Sequence, residues 1–279
     1  MNLRLPLDSA KRHRPHTTDG ARTPHAARPL RRWRHLREQL ILFGGFTLLG
    51  IGCLSWAAIA LPLLPLFRCC RAARFGRRVA MLGFRTYLFA LHLMGAARFD
   101  LTALDELRDA GPLILAANHP GLLDAPMVLS RLPNVVCILK ASLLDNVFWG
   151  AGARLACYIR NDRFLGSVHQ AIDELGQGSQ LLLFPEGSRT SHPPLDRFLA
   201  GAAIMAHRSG MPVQTLIIEQ DTCFLGKGQP LFACPDMPMH FRIRLGRRFD
   251  APTDPREFTR NLHAYFEQEL RVTAEAVSP

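Results

Sequence analysis

Between Leu40 and Phe67, "LILFGGFTLLGIGCLSWAAIALPLLPLF", the chain has no charged residue, and this absence limits where the protein can work. The part before Pro62 has 22 residues, about 33 Å as a helix, which is enough to cross the hydrocarbon core of a bilayer. A buried core helix of that length would keep a polar face, and none is present. No small-residue cleavage pattern follows, and the run lies too far from Met1 for a secretory signal. The seven cysteines include no C-x-x-C spacing, and several sit in apolar runs, as buried thiols of a reducing compartment do. The vicinal Cys69 and Cys70 read as small apolar residues at an interface rather than as acylation sites. Acidic residues are scarce at the head, where residues 1–39 hold ten Lys or Arg against Asp8, Asp19 and Glu38. With Pro6, Pro15, Pro24 and Pro29 and little apolar periodicity, this segment is expected to be a disordered basic tail. Its histidines, His13, His16, His25 and His35, show no compact ligand spacing, so no metal site is expected.

Arginine is abundant on both sides of the apolar run. Arg31, Arg32, Arg34 and Arg37 precede it, and Arg68, Arg71, Arg74, Arg77 and Arg78 follow. The positive-inside bias therefore selects no single crossing, and both ends facing the cytoplasm satisfies it. Gly44, Gly45, Gly50 and Gly52 would permit a bend, including a re-entrant hairpin. Farther on, Arg71, Arg74, Arg78 and Arg85 share one helical face, with Ala80, Phe84, Tyr87 and Leu91 opposite, a pattern suited to a helix lying on an anionic membrane surface. The same stripe could face nucleic acid, but next to a membrane segment lipid headgroups are the simpler partner.

After residue 100 strand-like and helix-like pieces alternate. Strands are expected at 113–117, 135–139, 155–159, 181–184, 213–218 and 241–245. The stretches "SVHQAIDELGQG" and "RFLAGAAIMAHRSG" read as helices ending near Gly176 or Gly178 and at Gly210. The pattern is α/β, with a central mainly parallel or mixed sheet flanked by helices and preceded by membrane-associated helices. It divides into a tail at 1–39, a membrane segment with a basic amphipathic helix at 40–94, and one catalytic-sized domain at 95–279.

Two strand ends carry chemistry. "NHPGLLD", residues 118–124, follows the strand "LILAA", so His119 stands where α/β sheets expose functional groups and Asp124 lies on the first turn of a helix. A His119 to Asp124 hydrogen bond would fix the imidazole tautomer and make a general base for a hydroxyl. The motif contains no serine or cysteine, so the activated hydroxyl is expected to be the substrate's own. By itself this spacing is more often that of a turn histidine beside a helix-starting aspartate than that of a catalytic pair. The second strand end, "LLLFPEGSRT", residues 181–190, places Glu186, Gly187, Ser188 and Arg189 together. Gly187 permits close backbone approach, and Arg189 offers a forked donor for phosphate or carboxylate.

Together these stretches resemble the glycerolipid acyltransferase family, which includes 1-acylglycerol-3-phosphate acyltransferase. Asn118, His119 and Asp124 match its first motif, and Phe184, Pro185, Glu186, Gly187, Ser188 and Arg189 match its third. "GARLACYIR", ending at Arg160, is similar to its second, and Lys140 matches a basic residue upstream of it. The resemblance implies that His119 takes a proton from an acceptor hydroxyl while Asp124 orients it, and that the acyl group comes from a thioester of coenzyme A or acyl carrier protein. It implies that Glu186 holds the acceptor's polyol, that Arg160 and Arg189 neutralise a phosphate, that the Gly187 backbone assists at the oxyanion, and that no metal or redox cofactor is required. Two departures stand out: Leu199 and Ala200 occupy the basic positions of Phe-Lys-Arg-Gly, and Thr215 replaces the second proline of the fourth motif, which keeps Pro212.

The expected function is acyl transfer to a lysophospholipid-type acceptor by a protein of the bacterial inner membrane with a cytoplasmic catalytic domain. The alternatives are acyl transfer from a carrier protein to a non-phosphate acceptor in specialised lipid or polyene synthesis, and a non-catalytic lipid-binding module. Neither acceptor identity nor oligomeric state can be read from the residues.

Overall fold

The computed structural model describes residues 27–63, 70–222, 224, 226–230 and 232–277. Arg37–Pro279 forms one compact unit and Met1–Leu36 a separate one. Most of the basic tail, Cys69 and Cys223 lie outside the described residues.

The first helix, α1, runs over Ala27–Leu63. It begins inside the segment expected to be disordered, so the tail does not extend to residue 39. The glycines at 44, 45, 50 and 52 lie within a continuous helix, and no hairpin forms there. One face of α1 packs on the protein and the rest is exposed. Ala57 and Ala60 are buried against Ala151 and Leu155, whereas Phe43, Ile51, Leu54 and Ile59 are exposed. Trp56 settles against Gly152, where a Cβ would stand 2.0 Å from the indole nitrogen, so only glycine accommodates it.

Helix α2, Cys70–Leu93, is part of the domain rather than a separate membrane element. Leu88 and Leu91 are buried in the main core, with Phe84 and Tyr87 packed against it. The apolar face expected to meet lipid therefore meets protein, and a boundary at 94 would cut through a core. Exposed Phe75, Leu82, Phe89 and Leu93 stand on the same outer side as Arg74, Arg78 and Arg85. Arg77, 3% exposed, pins the helix inward: its guanidinium donates to Ala156 O, Asn134 Oδ1 and Ser179 Oγ at 2.8–2.9 Å and pairs with Glu174 at 2.8 Å.

The sheet has seven strands: β1 Ala97–Asp100, β2 Ile114–Ala117, β3 Val135–Leu139, β4 Ile159–Arg160, β5 Gln180–Leu183, β6 Val213–Gln220 and β7 Met239–Phe249. Their order is β1-β7-β6-β2-β5-β3-β4, parallel except between β6 and β7. The central strands β2 and β5 are buried throughout and, apart from Gln180, read as aliphatic runs, as strands covered on both faces do. Five short or medium helices connect them: α3 Asp124–Leu129, α4 Ala141–Asp145, α5 Val147–Leu155, α6 Phe164–Gly176 and α7 Gly201–Ser209. Of the strand expected at 155–159, Leu155 ends α5, residues 156–158 form the turn that closes it, and only Ile159 joins the sheet. Cys157 closes that helix in a left-handed conformation (φ 53°), with Cys157 N–H donating to Arg154 O and Tyr158 N–H to Ala153 O. Without a glycine there, sequence carries no stop signal.

The last helix, α8 Pro255–Val277, is absent from the sequence reading, although Asp254 and Pro255 announce it. Asp254 Oδ1 caps it by accepting the Arg256 N–H at 2.8 Å. Phe258, Leu262, Phe266 and Leu270 recur every four residues and are buried under the sheet with α6 and α7. Complete burial of a side chain such as Phe266 contributes roughly 1.5–3 kcal/mol.

Candidate active site

The parallel register of β2 and β5 assembles the site. Ala116 lies opposite Leu183, so two turns leave the same sheet edge side by side, one bearing His119 and the other Glu186. His119 Nδ1 lies 2.7 Å from Asp124 Oδ2, and the same oxygen accepts the Gly121 N–H at 2.8 Å. A carboxylate oxygen only accepts, so Nδ1 carries the proton and the Nε2 lone pair remains available to substrate. The ring stacks on Phe184, with centroids 3.8 Å apart and planes at 15°, which fixes its orientation. Asp124 has no solvent exposure. Burial pushes its pKa up, while the His119 hydrogen bond and charge, the Gly121 N–H and the Arg189 charge pull it back.

Glu186 is turned inward, 6% exposed, and all its contacts are within the protein. Oε1 accepts the backbone N–H of His119 at 2.9 Å, and Oε2 accepts the Thr190 hydroxyl at 2.8 Å and the Asp196 N–H at 3.0 Å. Thr190 N–H returns to His119 O at 2.8 Å. Burial raises the Glu186 pKa against these three donors. The carboxylate expected to hold an acceptor polyol instead clasps the histidine turn to the following loop. Asn118, expected near substrate, is likewise occupied: its amide exchanges hydrogen bonds of 2.8 and 2.9 Å with the backbone of Ile218 and continues the β2–β6 ladder past the end of the strand.

Gly187 adopts φ +72°, and a Cβ there would fall 2.6 Å from Leu199 Cδ1. Its N–H, expected from the resemblance to assist at the oxyanion, here donates to Phe184 O at 2.9 Å. Ser188 is exposed, and its hydroxyl accepts from Lys227 Nζ at 3.2 Å. Arg189 donates from Nη1 to Gly226 O at 3.3 Å, and its charge acts on Asp124.

The other expected phosphate ligands stand apart. Arg160 ends β4, three strands from β2 and hence about 14 Å along the sheet edge. It pairs with Asp145 at 2.6 Å and Asp162 at 3.0 Å, so its charge is already matched. Lys140 follows β3 and is exposed at the start of α4. Thr190, Asp196, Phe184 and Lys227 are the site residues that the sequence reading assigned no role. Thr190 and Phe184 directly adjoin residues that it named, whereas Asp196 and Lys227 are brought in only by folding.

The model of the acyltransferase family matches residues 98–219, which contain both turns. Over this region the chain is similar to acyltransferases of the glycerolipid type. Among its relatives, the mouse 1-acyl-sn-glycerol-3-phosphate acyltransferase alpha is 26% identical over 159 residues, covering 53% of this chain and 54% of that protein. A Caenorhabditis elegans protein described as a 1-acyl-sn-glycerol-3-phosphate acyltransferase, acl-1, is 28% identical over 134 residues, covering 46% and 51% respectively. The chain thus spans about half the length of the curated relatives it matches. The crystal structure of the 1-acyl-sn-glycerophosphate acyltransferase PlsC from Thermotoga maritima superposes with a TM-score of 0.68, covering 88% of this chain and all of that one. At 16% identity that likeness is one of fold.

Proposed function

We propose that this protein is a membrane-attached enzyme that moves an acyl group from a coenzyme A or carrier-protein thioester to a hydroxyl of a lysophospholipid-type acceptor. The observation that carries the reading is the 2.7 Å His119–Asp124 pair with Nε2 directed away from the carboxylate, held beside the Glu186 turn. His119 Nε2 removes the acceptor's hydroxyl proton as the oxygen attacks the thioester carbonyl. The new C–O bond forms, the C–S bond breaks, and the imidazolium returns the proton to the departing thiolate, with Asp124 stabilising the transient positive charge. No residue is acylated in this sequence of steps, in keeping with the lack of a nucleophilic side chain in the His119 turn.

Helix α1 supports membrane attachment, since Trp33–Leu63 is long and apolar enough to cross a bilayer and presents large side chains away from the protein. Because α1 lies along the domain by its other face, the reading places the catalytic domain on the cytoplasmic side of the membrane, where acyl thioesters are made. An exposed Leu199 beside Gly187 favours the second reading, an acceptor without phosphate.

Purified protein in detergent micelles, given an acyl thioester and matched acceptors with and without phosphate, tests the function through thiol release. Absence of acceptor-dependent thiol release with every thioester and acceptor would defeat the enzymatic reading. Arg189→Ala should raise the acceptor KM about tenfold if Arg189 contacts phosphate. An equal fall in kcat for both acceptors would assign it to loop organisation instead.

A further inference from the structure

The loop between β6 and β7 crosses the site. The Phe224 main-chain oxygen would lie 3.4 Å from a Cβ on Gly121 in the histidine turn, and Gly226 O accepts from Arg189. The next residue, Lys227, extends its ammonium to Ser188 Oγ, one residue from Arg189. Among the described residues, no carboxylate lies within ion-pair distance of Lys227, in contrast to Arg160 with two. A second cation is thus brought to the Glu186 turn without a counterion, at a turn where Leu199 and Ala200 occupy positions that carry basic residues in the family.

The same loop reaches the membrane helix. Phe232 stacks on Phe43 with centroids 5.5 Å apart and meets Phe46 edge-on at 5.9 Å, on the exposed apolar side of α1. Phe232 lies five positions after Lys227, a reach of at most about 18 Å even when extended. One loop therefore joins the lipid-facing helix to a bare ammonium at the catalytic edge. A molecule with its apolar part at α1 and a phosphate at Lys227 would follow the course of this loop.

We propose that Lys227 is a phosphate-binding residue of the acceptor site, acting with Arg189 in place of the cations missing at Leu199 and Ala200. This inference rests on the acyl-transfer reading of the same site. A phosphate could also belong to coenzyme A, which arrives from water, but the link through Phe232 to α1 favours the lipid acceptor.

The experiment uses the full chain in neutral-detergent micelles, with Lys227→Gln and Lys227→Arg compared on 1-acylglycerol 3-phosphate and on the monoacylglycerol of the same chain length. Lys227 is exposed, and an unchanged melting temperature will confirm that the variants fold. Loss of a charge-assisted contact should lower the ratio of kcat/KM for the phosphate-bearing over the neutral acceptor about tenfold or more, mainly through acceptor KM. Lys227→Arg should recover most of that ratio. An unchanged ratio, or a rise in KM confined to the acyl-CoA donor, overturns the proposal while leaving acyl transfer intact. Direct binding of 1-acylglycerol 3-phosphate in the same micelles separates the two readings. If wild type turns over neither acceptor, weaker binding by Lys227→Gln still supports the phosphate site, and equal binding rejects it.

Discussion

The inner and outer parts of the sheet's carboxyl edge make a useful contrast. At β2 and β5, His119, Asp124, Glu186, Thr190 and Asn118 are tied to one another or to backbone, and Asp124 and Glu186 are buried. At β3 and β4, Lys140 and Arg160 are exposed, and Arg160 is neutralised by two aspartates. All these residues belong to or adjoin motif-like stretches, yet only in the inner group are bonded carboxylates also buried. A motif residue can serve a family by supporting the reacting group from behind, and burial with complete hydrogen bonding is what distinguishes that role from substrate contact.

The sharpest break in this contrast is His119→Ala. It should lower kcat by about 10²- to 10⁴-fold while leaving the melting temperature and membrane binding near wild type, as measured by thiol release and flotation with vesicles. Asp124→Asn should follow it with a smaller loss, because the amide can present a donor to Nδ1 and favour the wrong tautomer. Retention of near wild-type turnover by His119→Ala would remove the general-base role.

Glu186→Gln comes next. Three donors converge on this carboxylate, and an amide turns one acceptor into a donor, leaving roughly 1–3 kcal/mol of unmet hydrogen bonding. Chemical denaturation should show that loss together with a fall in kcat, with acceptor KM little changed. A rise in KM at constant stability would return Glu186 to the acceptor site. Arg160→Ala tests the outer edge, where an exposed ion pair contributes little, and kcat/KM on a phosphate-bearing acceptor should stay within about twofold of wild type. A large increase in acceptor KM would show that the outer edge binds substrate after all.

The smallest effect concerns acid. Asp196 accepts the backbone N–H groups of Ser191 and His192, and chiefly the Ser191 bond lowers its pKa from 3.8 to about 2. A carboxylate depressed on folding stabilises the fold fully above its unfolded value and loses that contribution as pH falls through its folded value. Wild type should therefore lose stability relative to Asp196→Asn between about pH 4 and pH 2, and a constant difference across that window would exclude the linkage.

Much of this was readable from sequence. The α/β pattern, the strand ends bearing His119 and Glu186, and the buried aliphatic strands follow from short apolar runs meeting turn residues. The Cys157 helix stop was not readable, since a left-handed cysteine resembles any other. The Asp254–Pro255 start of α8 is a legible helix signal, a capping carboxylate before a first-turn proline. At α2 the periodicity correctly gave two faces, but both sides of this helix carry apolar residues, and only packing decides which one the core takes. The roles of Glu186 and Asn118 depend on partners 67 and 100 residues distant, which no local pattern records.

Arg77 has a consequence for how the protein meets its substrate. By anchoring α2 to Glu174, Ser179, Asn134 and Ala156, it makes the helix that follows the apolar segment and the strands that carry the histidine parts of one rigid body. With α1 crossing a bilayer as proposed, the elevation of His119 above it would be a constant of the fold, much as a gauge block sets a tool. Acceptors whose hydroxyl rises to that height would be within reach, and molecules whose hydroxyl stays deeper would be screened out before any contact in the site discriminates between them.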